Sequence, residues 1–329
     1  MSEETKKEID VQAIAQALAE SVKSIIQEAK KPASEWQLAS EPFQREEEKK
    51  KKEEIQKIAE KIKKPNDSIV KTKIEKIETG TFIDQFFYDE NHNALNGLPF
   101  GVQLGIVGLP DVGKSILVQE IALRMASAGK KVVFVTSEDI WESPTPRFDL
   151  QSRMKQKADI LGLDWEKIKE NLYVIDTVTY SELRDWAEFV KTYRYLVEVE
   201  KGIDVLIVDS ITLMEDYRGA LKYRLMELAR FNQMNGITGI FVCQRAIEET
   251  DKYAMAGGIG LAHNLDATIC IDIKKASGRL KDELGKKQWE LVHFVRVLGC
   301  RLCAFDRKYH EVEITDDGFL KLKGAGGQK

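Results

Sequence analysis

Residues 108–115 read Gly108-Leu109-Pro110-Asp111-Val112-Gly113-Lys114-Ser115, which is the pattern G-x-x-x-x-G-K-S of a phosphate-binding loop. An apolar run at 103–107 precedes the loop and a helical pattern follows it to Met125, so it lies at a predicted strand-to-helix junction. There, backbone N–H groups and the helix N-terminus point at phosphate oxygens. We expect these eight residues and Ile116 to bind ATP, with Lys114 on the β- and γ-phosphates and the Ser115 hydroxyl on Mg²⁺.

The length, charge and cysteine content of the chain limit the classes of protein to which it can belong. A chain of 329 residues suits one large domain or two ordinary ones. The formal net charge of −4 and the pI near 5.8 exclude a global basic surface, so a nucleic-acid contact would need a local patch. Four cysteines are too few for a disulfide framework. With no signal-peptide core and no apolar run of about 18 residues, we expect a soluble cytoplasmic protein without a membrane segment.

The first 70 residues differ in pattern from the rest. Apolar residues recur at helical spacing within 9–30, which predicts a helix that either docks on its own core or binds a neighbouring subunit. Residues 44–64 are mostly Glu and Lys, which indicates an exposed helix or a linker. We therefore expect a helical, charged N-terminal arm and linker at 1–70, and one ATPase domain at 71–329.

In the second part, apolar runs alternate with helical patterns. This alternation predicts an α/β fold with a mostly parallel central sheet flanked by helices. Three later runs have no helices between them and predict a C-terminal antiparallel extension. The predicted strands are 102–107, 131–136, 172–175, 204–209, 238–242, 268–273, 290–298, 311–315 and 319–323, and the helices are 115–128, 181–200 and 217–235.

Three of the parallel strands end in polar residues. Asp209 ends the run 204–209 and is expected to hold the Mg²⁺ shell. Glu138 follows the run 131–136 and is predicted to be the general base that activates water, with Asp139 in reserve. Gln244 can hydrogen-bond a γ-phosphate oxygen. These tips should meet at the carboxyl edge of the sheet, beside the phosphate loop.

Four further motifs occur in the order of one protein family. They are Thr79-Gly80-Thr81-Phe82-Ile83-Asp84-Gln85-Phe86-Phe87, Asn96-Gly97-Leu98-Pro99-Phe100-Gly101, Gly257-Gly258-Ile259-Gly260-Leu261-Ala262-His263 and Glu311-Val312-Glu313-Ile314-Thr315-Asp316-Asp317-Gly318. Segment 79–323 thereby resembles the ATPase core of the RecA superfamily, and most resembles the archaeal RadA-paralogue and KaiC-like group. The resemblance implies a RecA-like fold, Mg²⁺-dependent ATP hydrolysis and a homo-oligomer.

The chain departs from RadA recombinases in several places. Residues 1–70 show no helix-hairpin-helix pattern, and no Phe has Ala three residues later, so the F-x-x-A polymerisation motif is missing. The paired acids Glu138 and Asp139 resemble KaiC-like proteins rather than the single Glu of RadA. Where RadA has a basic residue and an Asp that help bind the neighbour's nucleotide, this chain has Arg296 and Gly299. We predict Arg296 as a catalytic arginine acting in trans, and Arg301 as the alternative.

The sequence leaves nucleic-acid binding open. Loop 245–258 corresponds to the segment with which RecA-type proteins grip single strands, and Tyr253 fits a stacking role there. Acidic side chains in this loop oppose phosphate, whereas basic ones after Asp209 form a modest positive face that is equally consistent with a solvated helix. The two sets are Glu248, Glu249 and Asp251, and Arg218, Lys222 and Arg224.

The pair Cys300-x-x-Cys303 invites a metal or redox interpretation, but there is no second pair and His310 is a poor further ligand on spacing. We interpret His92, His263 and His293 as structural.

Three functions remain open. The leading one is a RadA paralogue that assists DNA recombination and repair through ATP-regulated binding of single-stranded DNA or of a RadA-type recombinase. The alternative is a KaiC-like signalling ATPase that acts on a protein partner and could autophosphorylate. The third is a helicase-like ring motor.

Overall fold

In the computed structural model of the chain, contacts divide the protein into two units, Met1–Val70 and Lys71–Lys329. The structure describes residues 73–145, 149–214, 217–245 and 264–324, with the side chains of 217–223 left out, and four single positions of the first unit. Those four positions are helical; they are Glu20, Lys23, Lys50 and Glu53. The predicted helix within 9–30 and the charged stretch 44–64 otherwise lie outside the described residues.

The described elements of the second unit alternate between strands and helices. In chain order they are β1 (Lys76–Ile77), a 3₁₀ turn (Phe82–Phe86), β2 (Phe87–Tyr88), β3 (Leu98–Pro99), β4 (Gln103–Gly108), α1 (Lys114–Ser127), β5 (Lys131–Thr136), α2 (Leu150–Ile160), α3 (Trp165–Asn171), β6 (Leu172–Asp176), a 3₁₀ turn (Ser181–Arg184), α4 (Trp186–Glu200), β7 (Ile203–Asp209), a 3₁₀ turn (Ile211–Leu213), α5 (Tyr217–Met234), β8 (Thr238–Gln244), β9 (Ala267–Lys275), α6 (Gly278–Leu284), β10 (Leu291–Cys300), β11 (Ala304–Phe305), β12 (His310–Ile314) and β13 (Leu320–Leu322).

Nine of the strands form one sheet in the order β13-β12-β10-β9-β4-β8-β7-β5-β6. The six strands from β9 to β6 are parallel to one another. The other three strands of this sheet, β10, β12 and β13, pair antiparallel, starting with β10 on β9. This confirms the predicted α/β fold, with a mostly parallel sheet and a C-terminal antiparallel extension.

The parallel strands are apolar throughout because both faces of the sheet are covered. Successive residues of β5 point to opposite faces. Val132 and Phe134 belong to the core that contains α1, whereas Val133 and Val135 belong to the core that contains α4 and α5. The same alternation runs through β7 and β8. Two cores therefore hold the sheet rigidly from both sides.

The predicted helix at 181–200 is wrong as a single element. A 3₁₀ turn ends at Arg184, and α4 begins only at Trp186. The break lies at Asp185, whose extended backbone lets its carboxylate accept hydrogen bonds from the N–H groups of Ala187 and Glu188. This is an ordinary helix N-cap.

The four strands that carry the predicted chemistry are consecutive in the sheet, in the order β4-β8-β7-β5. Since they are parallel, their carboxyl ends lie along one edge. The phosphate loop therefore lies beside the tips that carry Gln244, Asp209 and Glu138. In the part of the chain that the structure describes, no helix has the length and apolarity needed to cross a membrane.

Candidate functional site

A cavity of about 260 Å³ opens at the carboxyl edge of β4, β8, β7 and β5. Its walls bring together predicted site residues from three separate parts of the chain. They are Pro110, Asp111, Gly113, Lys114, Ser115, Ile116, Glu138 and Gln244, with Ser210 and Val242 completing the lining. Asp209 joins this group through a hydrogen bond to Ser115.

The loop between β4 and α1 turns through two left-handed residues. Asp111 has φ of 63° and Gly113 has φ of 86°, and α1 begins directly after Gly113. Of the nine predicted phosphate-contacting residues, Gly108, Leu109 and Val112 are not in the cavity wall. Val112 is buried in the core, and the Leu109 carbonyl accepts a hydrogen bond from Lys114 Nζ. Lys114 and Ser115 thus line the cavity, whereas Val112 packs into the core.

Gly108 holds the phosphate loop against the neighbouring strand. A Cβ atom placed there would lie 1.8 Å from the Ile271 carbonyl oxygen of β9. Because that oxygen belongs to a buried strand, it cannot move aside as a flexible side chain would. Only glycine allows β4 and β9 to approach this closely.

We expect Gly108→Ala to lower the free energy of unfolding by about 1–3 kcal/mol, since the added methyl must push two paired strands apart. Chemical denaturation would measure the loss. Gly299→Ala is the matched control, because no atom lies within 4 Å of a Cβ placed at that position. Equal stability of the two variants would contradict the close approach.

Lys114 is a nearly buried cation, with 6% of its surface exposed. Burial lowers its pKa, and the charges of Asp209, Glu138, Asp272 and Asp111 oppose that shift. The ammonium group is thus surrounded by acidic groups and hydrogen-bonds a loop carbonyl. It can exchange that carbonyl for phosphate oxygens, which are stronger acceptors.

Ser115 and Asp209 form an oxygen pair at the base of the cavity. The Ser115 hydroxyl donates to Asp209 Oδ1 over 3.1 Å. Burial and the charge of Glu138 raise the pKa of Asp209 to about 7, against the hydrogen bond from Ser115. Hard oxygen ligands fit Mg²⁺, which in triphosphate sites takes one or two protein ligands and completes its shell with phosphates and water. In the described residues, no group of three or more His, Cys, Asp or Glu could bind a metal alone.

We expect Ser115→Ala to raise the Mg²⁺ concentration needed for half-maximal ATP turnover at least about tenfold. The change removes both the predicted metal ligand and the hydrogen bond to Asp209. Turnover measured across a Mg²⁺ titration tests this, with Ser127→Ala at the far end of α1 as the control. An unchanged Mg²⁺ requirement would remove Ser115 from the metal site.

The paired acids after β5 have different surroundings. Glu138 lies in the cavity wall, and partial burial, with Asp139 and Asp111 nearby, raises its pKa while Lys114 opposes the shift. Asp139 instead forms an ion pair with Arg153 of α2, with 2.7 Å between Oδ1 and the guanidinium nitrogen. This contrast favours Glu138 over Asp139 as the general base.

Gln244 is held in place by its neighbours in the sheet. Its side chain lines the cavity, and its strand position pairs with Gly108. The next residue, Arg245, donates its backbone N–H to the Gly108 carbonyl and pairs with the fully buried Asp272 of β9. The tip of β8 is therefore fixed to its neighbour β4 and to β9, the strand beyond β4.

The ion pair between Arg245 and Asp272 is not predicted from the sequence. Its one signal was a carboxylate in the middle of the apolar strand β9, because a buried charge requires a partner. His293 was interpreted only as structural. It lies on β10, and its Nε2 is 3.1 Å from the carbonyl oxygen of Val112 in the phosphate loop. Burial lowers the pKa of His293, which favours the neutral ring. Because a carbonyl oxygen can only accept, the ring N–H donates this hydrogen bond and holds the phosphate loop against β10.

The predicted arginines lie away from the cavity of their own chain. Arg296 donates to the Arg307 carbonyl and to the Tyr309 hydroxyl, and its guanidinium lies 4.7 Å from the Tyr309 ring centre. Arg301 is exposed in the turn after β10. Loop 246–263, with the Gly-Gly-x-x-Leu-Ala-His motif, lies outside the described residues, as do the side chains of Arg218 and Lys222.

A phosphate loop between parallel neighbours, with acids at two further strand tips, defines the class of P-loop ATPases. A family model described as "ATPase: KaiC" matches residues 70–323, which is most of the chain. The protein therefore belongs to the KaiC ATPase family. This bears out the KaiC-like part of the resemblance, whereas the comparisons do not specifically indicate a RadA paralogue.

Individual relatives are distant. A UPF0273 protein of Pyrococcus furiosus is 25% identical over 240 residues, covering 68% of this chain and 87% of that protein. A UPF0273 protein of Thermotoga maritima is 24% identical over 247 residues, covering 70% and 92%. The crystal structure of a KaiC-like protein from Pyrococcus horikoshii has a TM-score of 0.55 at 18% identity and covers 76% of this chain and 99% of its own, which supports the fold alone.

Proposed function

We propose that this protein is a Mg²⁺-dependent, KaiC-like signalling ATPase whose nucleotide state controls a protein partner. The proposal rests mainly on one observation: Lys114, Ser115, Glu138 and Gln244 line a single cavity although they come from distant parts of the sequence. The family match supports ATP as the substrate.

Each residue has a distinct role in the proposed reaction. Loop N–H groups and Lys114 bind the phosphates, and Ser115 and Asp209 hold Mg²⁺, which would neutralise charge on the β- and γ-phosphates. Glu138 accepts the proton of the attacking water. Gln244 hydrogen-bonds the γ-phosphate and loses that partner after hydrolysis. Because Arg245 fixes the tip of β8, this loss can be transmitted to the loop that follows.

We also propose that Arg296 completes the site of a neighbouring subunit in a homo-oligomer. A trans arginine can be worth about 10³–10⁵ in rate, so an isolated subunit should turn over slowly. Mixing supplies a direct test: Arg296→Ala and Glu138→Gln subunits, each inactive alone, should regain activity together. The mixed assembly would place an intact Arg296 against an intact Glu138. No recovery on mixing would remove the trans role.

Charge favours a protein partner over nucleic acid. The chain has a net charge of −4, and loop 245–258 carries three acidic residues where a single strand would have to bind. The paired acids Glu138 and Asp139 and the family match point the same way. The role in DNA recombination and repair, with a RadA-type recombinase as partner, is the competing proposal.

One set of measurements separates these functions. ATP turnover and particle size would be measured with and without a non-hydrolysable ATP analogue, and then with single-stranded DNA at low salt. The signalling proposal expects nucleotide-dependent assembly, no DNA retention and capture of a protein in one nucleotide state. Salt-sensitive DNA binding that accelerates turnover would favour the repair function instead. Label transfer from γ-labelled ATP to the chain would reveal autophosphorylation.

A further inference from the structure

Two of the four cysteines form an accessible pair that the ATPase site does not use. Cys300 ends β10, and Cys303 directly precedes β11. Their sulfur atoms lie 3.5 Å apart, and both residues are half-buried free thiols. Cys243 and Cys270 are fully buried in strands of the central sheet. The chain thus has one thiol pair that can meet a reagent and two thiols that cannot.

The two thiols of the pair have different acidities. A hydrogen bond from Cys303 lowers the pKa of Cys300 to about 6, and the backbone N–H groups of Leu302 and Cys303 contribute, whereas burial and Asp266 oppose the shift. The hydrogen bond that Cys303 donates to Cys300, together with burial, raises the pKa of Cys303. Burial also raises the pKa of both interior cysteines. Since the thiolate is the nucleophile, we expect Cys300 to be the attacking sulfur.

A structural metal does not explain the pair. Structural zinc requires four ligands, usually Cys or His. In the described ranges, no cluster of three or more His, Cys, Asp or Glu surrounds these sulfurs or any other point. Two sulfurs in contact without a third ligand fit a dithiol better than a metal site.

The pair also lies far from the nucleotide cavity. Cys300 pairs with Ala267, at the start of β9, whereas His293 near the other end of β10 contacts the phosphate loop. Six residues of strand β10 lie between His293 and Cys300, a span of roughly 20 Å. The chemistry of the pair can therefore be tested without disturbing the ATP site.

We propose that Cys300 and Cys303 form a thiol–disulfide exchange site that oxidises reversibly with a small disulfide of the glutathione type. The Cys300 thiolate attacks one sulfur of the small disulfide, forming a mixed disulfide and releasing one thiolate. Cys303 then loses its proton and attacks Cys300 Sγ, which forms the internal disulfide and releases the second thiol. Two protein thiols are oxidised while one small disulfide is reduced to two thiols, so the exchange balances.

The test is reaction of the full-length reduced protein with excess glutathione disulfide, followed by intact mass and peptide mapping. We expect the wild-type mass to fall by two hydrogen atoms, with Cys300 linked to Cys303 and the peptides of Cys243 and Cys270 unmodified. These buried cysteines are the internal control. A retained glutathione group, or equal reaction at all four cysteines, would overturn the proposal without any variant.

A matched pair of variants identifies the attacking sulfur. Cys303→Ser should stop at the mixed disulfide and keep one glutathione group on Cys300. At pH 6, Cys300→Ser should react at Cys303 about tenfold more slowly than Cys303→Ser reacts at Cys300, because an ordinary thiol is almost fully protonated at that pH. Reaction at equal rates would refute the division of roles, and an internal disulfide in either variant would refute the pairing.

Discussion

Replacing Lys114 with alanine should weaken ATP binding at least about 100-fold while the protein remains folded. The ammonium group is the cation in a cavity whose surroundings contain Asp209, Glu138 and Asp111. Without it, the triphosphate would face three carboxyl groups. Hydrogen bonds to charged groups contribute about 1.5–3 kcal/mol each, and two phosphates lose one apiece, so a loss above about 2.7 kcal/mol is expected.

The fold should survive because the lysine side chain has no buried partner that would be left as an isolated charge. Its hydrogen bond is to the neutral carbonyl of Leu109. Asp209, the buried acid beside it, already has a raised pKa and keeps its hydrogen bond from Ser115. Lys114 lowers the pKa of Asp209, so removing the lysine favours the neutral acid further and limits the cost of burying it.

Calorimetric titration and ligand-dependent melting would measure the effect. At an ATP concentration 100 times the wild-type Kd, binding should stabilise the wild type by about 2.7 kcal/mol, whereas a variant bound 100-fold more weakly gains only about 0.4 kcal/mol. Lys130→Ala is the matched control. It removes the same charge from an exposed lysine that pairs with Asp204 at the opposite edge of the sheet. Undiminished ATP binding by Lys114→Ala would refute the proposed site.

The parallel sheet could be predicted because its strands are short apolar runs between helical patterns. The strand at 131–136 was predicted with the bounds that the structure has, and the antiparallel end followed from the lack of helices there. Helix α2 was not predicted, since only Leu150, Met154 and Ala158 are buried in an otherwise polar segment. Asp185 is a typical helix-capping residue and could have indicated the break before α4. The apolar residues continue at helical spacing on both sides of it, so the spacing predicts one continuous helix.

The candidate site shows the same division between local and long-range information. Each predicted site element lies at the carboxyl end of an apolar strand; these elements are the phosphate loop, Glu138, Asp209 and Gln244. Because the strands are parallel, their carboxyl ends lie at one edge of the sheet, and the sequence alone predicts that these residues meet. The supports of the site carry no such local pattern. Arg245 meets Asp272 across 27 residues, and His293 meets Val112 across 181, which only the folded sheet brings together.

Glu138→Gln should leave ATP binding nearly unchanged and lower turnover by about 10²–10⁴-fold. The amide keeps the shape of the side chain but cannot accept the proton of water. Losing one negative charge near Lys114 should strengthen ATP binding slightly. Single-turnover hydrolysis measures the chemical step separately from binding, and titration of the same variant measures affinity.

The neighbouring acid provides the matched control. Asp139→Asn makes the same carboxylate-to-amide change one residue away. It should remove only the ion pair with Arg153, so turnover should fall far less than in Glu138→Gln.

The pH dependence of turnover adds an independent readout. Glu138 must be ionised to act, and its pKa is raised, so wild-type turnover should fall with acidification at a higher pH than an ordinary glutamate would give. If Asp139→Asn instead abolished turnover and Glu138→Gln did not, the general base would be Asp139, and Arg153 would have to release it before catalysis.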